Sequence, residues 1–210
     1  MTFIKKPEAI IWDAARKIFL SKGLSGARMQ DIADEAGINR ALLHYYYRTK
    51  EKLFEQIFEK ELFGFIQNLE SIFTSGFPFF EKIEQLVEQE IESFTLCPEL
   101  PLFLLNELSR QSSCSRSKTN CMHDNSVHQL FRQLVKEEIE SGRIKEVDPD
   151  QLFIHLVSLT VYPFMAKPMI QAMLQLDDAA YHVFIQKRKN EICRFVFDSL
   201  AVSLHHEKQL

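Results

Sequence analysis

Between Arg40 and Tyr46 the chain reads RALLHYY, which sets a guanidinium, an imidazole and two phenols within about two helical turns of one another. A guanidinium is a rigid fork of donors, while an imidazole or a phenol can donate and accept, so the group suits phosphate oxygens and base edges. A soluble helix seldom exposes bulky aromatics beside cations unless that face meets a partner. Arg28, Asn39 and Lys50 flank the run with further donors. A second group, Cys114, Cys121, His123 and His128, offers thiolate and imidazole ligands. Its Cys-x6-Cys-x-His-x4-His spacing lacks the Cys-x2-Cys hairpin of common zinc sites, and the segment around it, QSSCSRSKTNCMHDNS, is almost without apolar residues. A polar loop without a metal is expected there. No Gly-rich phosphate loop, Gly-x-Ser-x-Gly elbow or His-Glu-x-x-His helix occurs, so no catalytic residue, cofactor or enzyme activity is expected. Two alternatives of other classes stand beside a nucleic-acid binder: a helical enzyme built on the Cys/His loop, and a helical module that binds a protein partner.

Presenting the Arg40 to Tyr46 face takes a helix, a tight turn and a second helix. Ile32, Ala33 and Ala36 share one side of a short helix from Met29 to Ala36, Gly37 suits the left-handed turn that ends it, and Asn39 can cap the next helix. In that helix Leu43 and Tyr47 point inward, while Arg40, Ala41, His44 and Tyr45 look outward. Upstream, Ile10, Ile11, Ala14, Ala15, Ile18 and Phe19 recur at the helical period from Pro7 to Lys22, and Gly23 ends the run. Trp12 is expected to pack within this three-helix unit. Leu24 to Ala27 is expected to be a loop, from which Ser25 and Arg28 reach phosphate or the adjoining minor groove. Downstream, an apolar stripe from Leu53 through Ile57, Leu62 and Leu69 predicts one long helix from Thr49 to about Phe73.

These residues resemble the tetracycline-repressor (TetR) family of one-component transcriptional regulators. The family's ordered pattern is met by Ile32-Ala33 in the short helix, Gly37 in the turn, Asn39 as cap, the aromatic run from Leu43 to Tyr47, and Lys50 opening the next helix. The resemblance implies an all-α fold: an N-terminal three-helix helix-turn-helix DNA-binding domain, residues 1–50, on a C-terminal helical ligand-binding and dimerisation domain, residues 51–210. It implies transcription regulation by a homodimeric repressor that binds a palindromic double-stranded DNA operator and is released by a small, mostly apolar effector. Carried over by position, Arg40, Ala41, His44, Tyr45 and Tyr46 look into the major groove and Lys50 meets a phosphate. Arg28 and Asn39 complete the expected DNA-binding set. Met29 stands where the family usually has a hydroxyl residue, Ala41 where Gly is common and His44 where Tyr is common, so base preference does not carry over. No effector-binding residue is assigned.

Composition agrees with a folded protein: 210 residues, 46% hydrophobic and 26% charged, can bury a sizeable core. The net charge of −4 divides unevenly, since residues 1–53 carry 10 Lys/Arg against 6 Asp/Glu and the remainder 15 against 23. A basic head attracts a phosphate backbone while an acidic body stays off it. Met1 to Lys6 is too short and polar for a signal peptide, no apolar run of about 20 residues is present to span a membrane, and four irregularly spaced cysteines suit reduced thiols. The cytoplasm is the expected compartment. Ser75 to Pro78 and Cys97-Pro98 mark breaks, Val127 to Gly142 is helical, and Asp148-Pro149 and Asp177-Asp178 open two last helical segments. Of these, Leu152 to Leu176 is expected to be a buried helix with a kink or break near Pro163, and His155 within it a hydrogen-bonded core residue. Both segments are the expected dimer helices. Sixteen of the 18 phenylalanines follow residue 53, enough for some to line a ligand cavity.

Overall fold

The computed structural model describes residues 6–112 and 126–202, and among them every regular element is an α-helix. They are α1 (Pro7–Gly26), α2 (Met29–Ala36), α3 (Arg40–Tyr46), α4 (Lys50–Phe73), α5 (Phe79–Leu96), α6 (Leu100–Ser112), α7 (Ser126–Glu140), α8 (Pro149–Met165), α9 (Lys167–Leu174) and α10 (Asp178–Leu200). Cys114, Cys121 and His123 of the polar segment lie outside the described residues. Among those described, no group of three His, Cys, Asp or Glu is placed to hold a metal ion. No single described helix is long and apolar enough to cross a membrane; α8 and α9 reach that length only as a pair bent by 77°.

The helices gather into two compact units. One holds α1, α2, α3, α4 as far as Phe65, and α6. Its core is an aromatic chain: Phe19 of α1 meets Phe54 of α4 edge-on at 5.0 Å, and Phe103 of α6 lies 5.5 Å from Phe54 and 6.1 Å from Phe58. All four rings are buried, each stabilising the unit by about 1.5–3 kcal/mol in area removed from water. Arg16 of α1 clasps Glu61 of α4 with two parallel hydrogen bonds, at 2.6 and 2.9 Å. Trp12 packs here as expected, half-buried with Lys60 Nζ 4.8 Å from its ring centroid.

Gly23 interrupts α1 rather than ending it. Its φ of 65° and ψ of 179° break the helix, after which one more turn runs to Gly26, closed by the Ala27 amide on the Gly23 carbonyl. The expected loop at Leu24 to Ala27 is therefore mostly a helical turn.

The second unit holds α4 from Ile66 onward, α5, and α7 to α10. Helix α5 is its centre, packing on both α8 and α10 with Ile83, Leu86, Val87, Ile91 and Phe94 buried. Two charged residues of α5 are buried with them. Lys82 Nζ donates to the Phe73 carbonyl at 2.7 Å, where a cation neutralises the negative end of α4. Glu90 accepts from the Thr160 hydroxyl of α8. Aspartates start the last helices as expected: Asp148 Oδ1 accepts from the Asp150 and Gln151 amides, and Asp177 Oδ1 from Ala180.

The break expected near Pro163 is present: the segment is two helices that part at Ala166, just past the proline, which itself lies inside α8. Proline has no N–H, so the Leu159 carbonyl loses its helical donor. Arg188 of α10 replaces it, Nη2 to oxygen at 2.9 Å, and the Tyr181 hydroxyl donates to the Pro163 carbonyl at 2.6 Å. With both carbonyls satisfied, the helix continues for another half turn. The expectation of burial is corrected, since only one side of the segment is covered. Leu152, Leu156, Thr160 and Phe164, four residues apart, form the inward line, while Ile154, Tyr162, Met165 and Met169 are exposed. His155 lies on that outer side, exposed to solvent instead of in the core.

Candidate nucleic-acid interface

The expected interface lies in the first unit and is built on α2 and α3. Helix α2 buries Ile32 and Ala33 completely, and α1 holds it from outside through Lys17–Glu35 and Lys22–Asp31 ion pairs at 2.6 and 2.8 Å. The Lys22 hydrogen bond holds the Asp31 carboxyl below the usual carboxylate range. At the end of α2 Gly37 adopts φ 64° and ψ 31°, its amide reaching Asp34 O while the Ile38 amide reaches Ala33 O. This paired closure needs the left-handed conformation that glycine reaches at least cost. Asn39 then starts α3, its Oδ1 accepting from the Leu42 amide at 2.8 Å. Arg28 holds the cap position of α2 and makes no side-chain cap hydrogen bond, and Met29 is the first residue of the helix.

Leu43 is fully buried and fixes the rotation of α3. Tyr47 follows it inward, and burial pushes its phenol above the usual range. The opposite side carries the expected set. Arg40, Ala41 and Tyr45 are exposed, Tyr45 at 79%, and His44 and Tyr46 are half-buried. Tyr46 meets Tyr45 edge-on at 5.3 Å, which stiffens the pair. Arg40 Nε donates to His44 Nε2 at 3.2 Å, which ties the two side chains together one turn apart. Arg28 is exposed just before α2, Asn39 just before α3, and the exposed cations Arg48 and Lys52 flank the start of α4.

Lys50 has a second occupation that its place in the sequence does not announce. Its ammonium donates to Leu24 O at 2.7 Å and Ala27 O at 3.0 Å, covering carbonyls left without helical donors where α1 ends. An ammonium has three donors, so one is left for an outside acceptor. Lys50 thereby ties the start of α4 to the turn that leads into Arg28 and α2. The start of α4 is further fixed by Thr49, whose hydroxyl accepts from the Lys52 amide at 3.3 Å. Together these contacts give a short helix, held from behind, whose free side presents a guanidinium and two edge-on phenols beside several cations. Such a surface can hydrogen-bond phosphates and base edges of a duplex.

Residues 11–57 match the family model described as bacterial regulatory proteins, tetR family. The HTH-type transcriptional regulator YhgD of Bacillus subtilis is 22% identical over 176 residues, spanning 80% of this chain and 92% of that protein. The fatty acid metabolism regulator protein of Bacillus subtilis is 23% identical over 143 residues, 68% of this chain and 73% of its own. Among solved structures, the ketosteroid transcriptional regulator KstR2 of Mycobacterium tuberculosis superposes with a TM-score of 0.73 at 17% identity, covering 95% of this chain and 97% of that one.

Proposed function

We propose, from the premise that this chain is a transcriptional regulator of the TetR family, that it is a repressor which lays α3 in the major groove of a palindromic operator and leaves it when a small, mostly apolar molecule binds. Arg40, Ala41, His44, Tyr45 and Tyr46 read the groove. Arg28, the Asn39 amide and the remaining Lys50 donor hold phosphate or the groove edge. One observation carries this reading: the Tyr45 phenol stands almost wholly in solvent on a helix whose inner side is locked by Leu43. An aromatic so placed in a folded protein is suited to a partner rather than to a core.

TetR-family regulators bind DNA as dimers and answer to small-molecule effectors. For this chain we place the dimer contact on the outer sides of α8 and α10, where Ile154, Tyr162, Met165, Val183 and Phe195 are exposed in the single chain. The compartment is the cytoplasm, and the work is binding without catalysis. Residues 1–50 serve the DNA and 51–210 the effector and the partner, a division of labour that differs from the division of packing. Helix α6 belongs to the second part by sequence and to the first unit by its Phe103 contacts. An effector that displaces α4 or α6 would act on the support of the reading helix, and it can do so only through unequal affinity for the two states. Coupling of about 1–3 kcal/mol is typical and would cost operator affinity roughly 5- to 150-fold.

Selection from a pool of random duplexes by the purified full chain tests the reading. Enrichment of an inverted repeat with half-sites about one or more helical turns apart is expected. A pool that stays random after repeated rounds contradicts it.

A further inference from the structure

The second unit contains a half-open cavity of about 150 Å³ between the end of α5, the α8–α9 break and the start of α10. Its inner wall is apolar: Phe164 and Ile185 are buried, and Tyr181 presents its ring there because its hydroxyl is already bonded to the Pro163 carbonyl. The mouth is charged. Lys167 Nζ lies 2.8 Å from Asp178 Oδ1 and 5.4 Å from the centroid of the Tyr181 ring, and the exposed His182 stands beside them.

The two partners of that ion pair are held unequally. The Lys167 ammonium rests on an aromatic face and its side chain is 39% exposed, whereas the Asp178 side chain is 84% exposed and has, besides Lys167, an exposed hydrogen bond from Gln171 Nε2 at 3.1 Å that it can keep when Lys167 turns away. An arriving carboxylate can take the place of Asp178 on Lys167 without disturbing the wall. An arriving ammonium would have to evict Lys167 from both the ring and the carboxylate. His182 adds a second group at the mouth that hydrogen-bonds an anion. An apolar space of this size accommodates one benzene ring.

We propose that this cavity binds a small aromatic or branched-chain carboxylate, its apolar body against Phe164, Tyr181 and Ile185 and its carboxylate on Lys167 in place of Asp178. The occupant would touch Phe164 and Tyr181, the residues at the α8 break, and so has a direct hold on the geometry of α8. That it regulates DNA binding rests on the function proposed above; that it binds does not.

Benzoate is a suitable probe and benzylamine its cationic counterpart of the same size. Calorimetric titration of the full chain, free of DNA, is run at the millimolar concentrations at which fragments bind. Benzoate should saturate the protein and benzylamine should not. Lys167→Met should weaken benzoate about tenfold or more, the fold-change one charge-assisted hydrogen bond is worth. Asp178→Asn, which removes the competing carboxylate from an exposed position, should tighten it. Both variants are checked for an unchanged melting temperature, and the opposite signs separate recognition at this site from general destabilisation. Absence of benzoate binding, equal binding to the Lys167→Met chain, or a preference for benzylamine overturns the proposal. Adding benzoate to the protein–operator complex then tests regulation by itself: release supports the effector role, and binding without release overturns that role while the site stands.

Discussion

In the proposed reading of DNA Tyr45 is the side chain to test first, since it is the most exposed aromatic of α3 and its ring is steadied by Tyr46. Tyr45→Ala should cost about 1–3 kcal/mol of operator binding, the range for one specific base or phosphate contact, while far-ultraviolet circular dichroism stays unchanged. In the second unit, Glu90 makes a prediction of another kind. Burial pushes its carboxyl up to about 7, against which the Thr160 hydroxyl works only weakly, and no charged group contributes to the shift. The sign follows from proton linkage. A carboxyl whose folded pKa is raised favours the fold while it is protonated, so this contribution is intact below the ordinary value of 4.5 and is lost as pH rises towards 7. The loss amounts to at most about 3 kcal/mol. Asp150 and Asp178 are shifted downward by Arg132 and Lys167 and titrate below this window. Thermal unfolding between pH 5 and 8 should therefore show the wild type losing stability and Glu90→Gln, which keeps the Thr160 bond, losing much less. Parallel curves for the two proteins would refute the assignment.

Among the elements, α6 packs into the reading unit with Leu104 and Phe103 buried, and Phe103 is its aromatic contact with α4. Phe103 meets both Phe54 and Phe58 of α4, so Phe103→Ala should destabilise the first unit by about 3–5 kcal/mol, the usual cost of emptying a buried aromatic site. Denaturant unfolding followed at that unit checks this, and a loss under about 1 kcal/mol would mean that the aromatic chain is not its keystone. How much of these elements could be read from sequence depended on how local their causes are. The α2–turn–α3 geometry rests on Gly37, Asn39 and Leu43, each acting within a few residues, and all three behave as their types dictate. The break near Pro163 comes at Ala166 and not at the proline itself, because the Leu159 carbonyl finds its donor, Arg188, on another helix. Lys50 read as a cation for phosphate, while its carbonyl acceptors lie more than 20 residues earlier in the chain. His155 looked buried because its neighbours are apolar, but on α8 the outer side is apolar too. That outer side is where the proposed dimer contact lies, and no pattern within one chain distinguishes a core face from an interface face.

For the whole molecule, the account requires two reading heads, because a single small helical unit offers too little contact for specific binding on its own. Phe195, 64% exposed on α10, is the place to test assembly without harming the fold. Phe195→Glu should give a folded monomer by light scattering, with operator affinity lost through the loss of the second head. A variant that remains dimeric would move the interface elsewhere. The central claim is that α3 reads a duplex from a head that is basic against an acidic body. Its most direct test is the affinity of the full chain for its selected duplex and for a scrambled one, across a salt series, with the Tyr45→Ala chain alongside. The account expects wild-type binding to favour the selected duplex by at least about a thousandfold and to weaken linearly with the logarithm of salt concentration. It expects the Tyr45→Ala chain to lose preference while keeping its salt slope. Equal affinity for both duplexes, or a Tyr45→Ala chain that discriminates as well as the wild type, would contradict it.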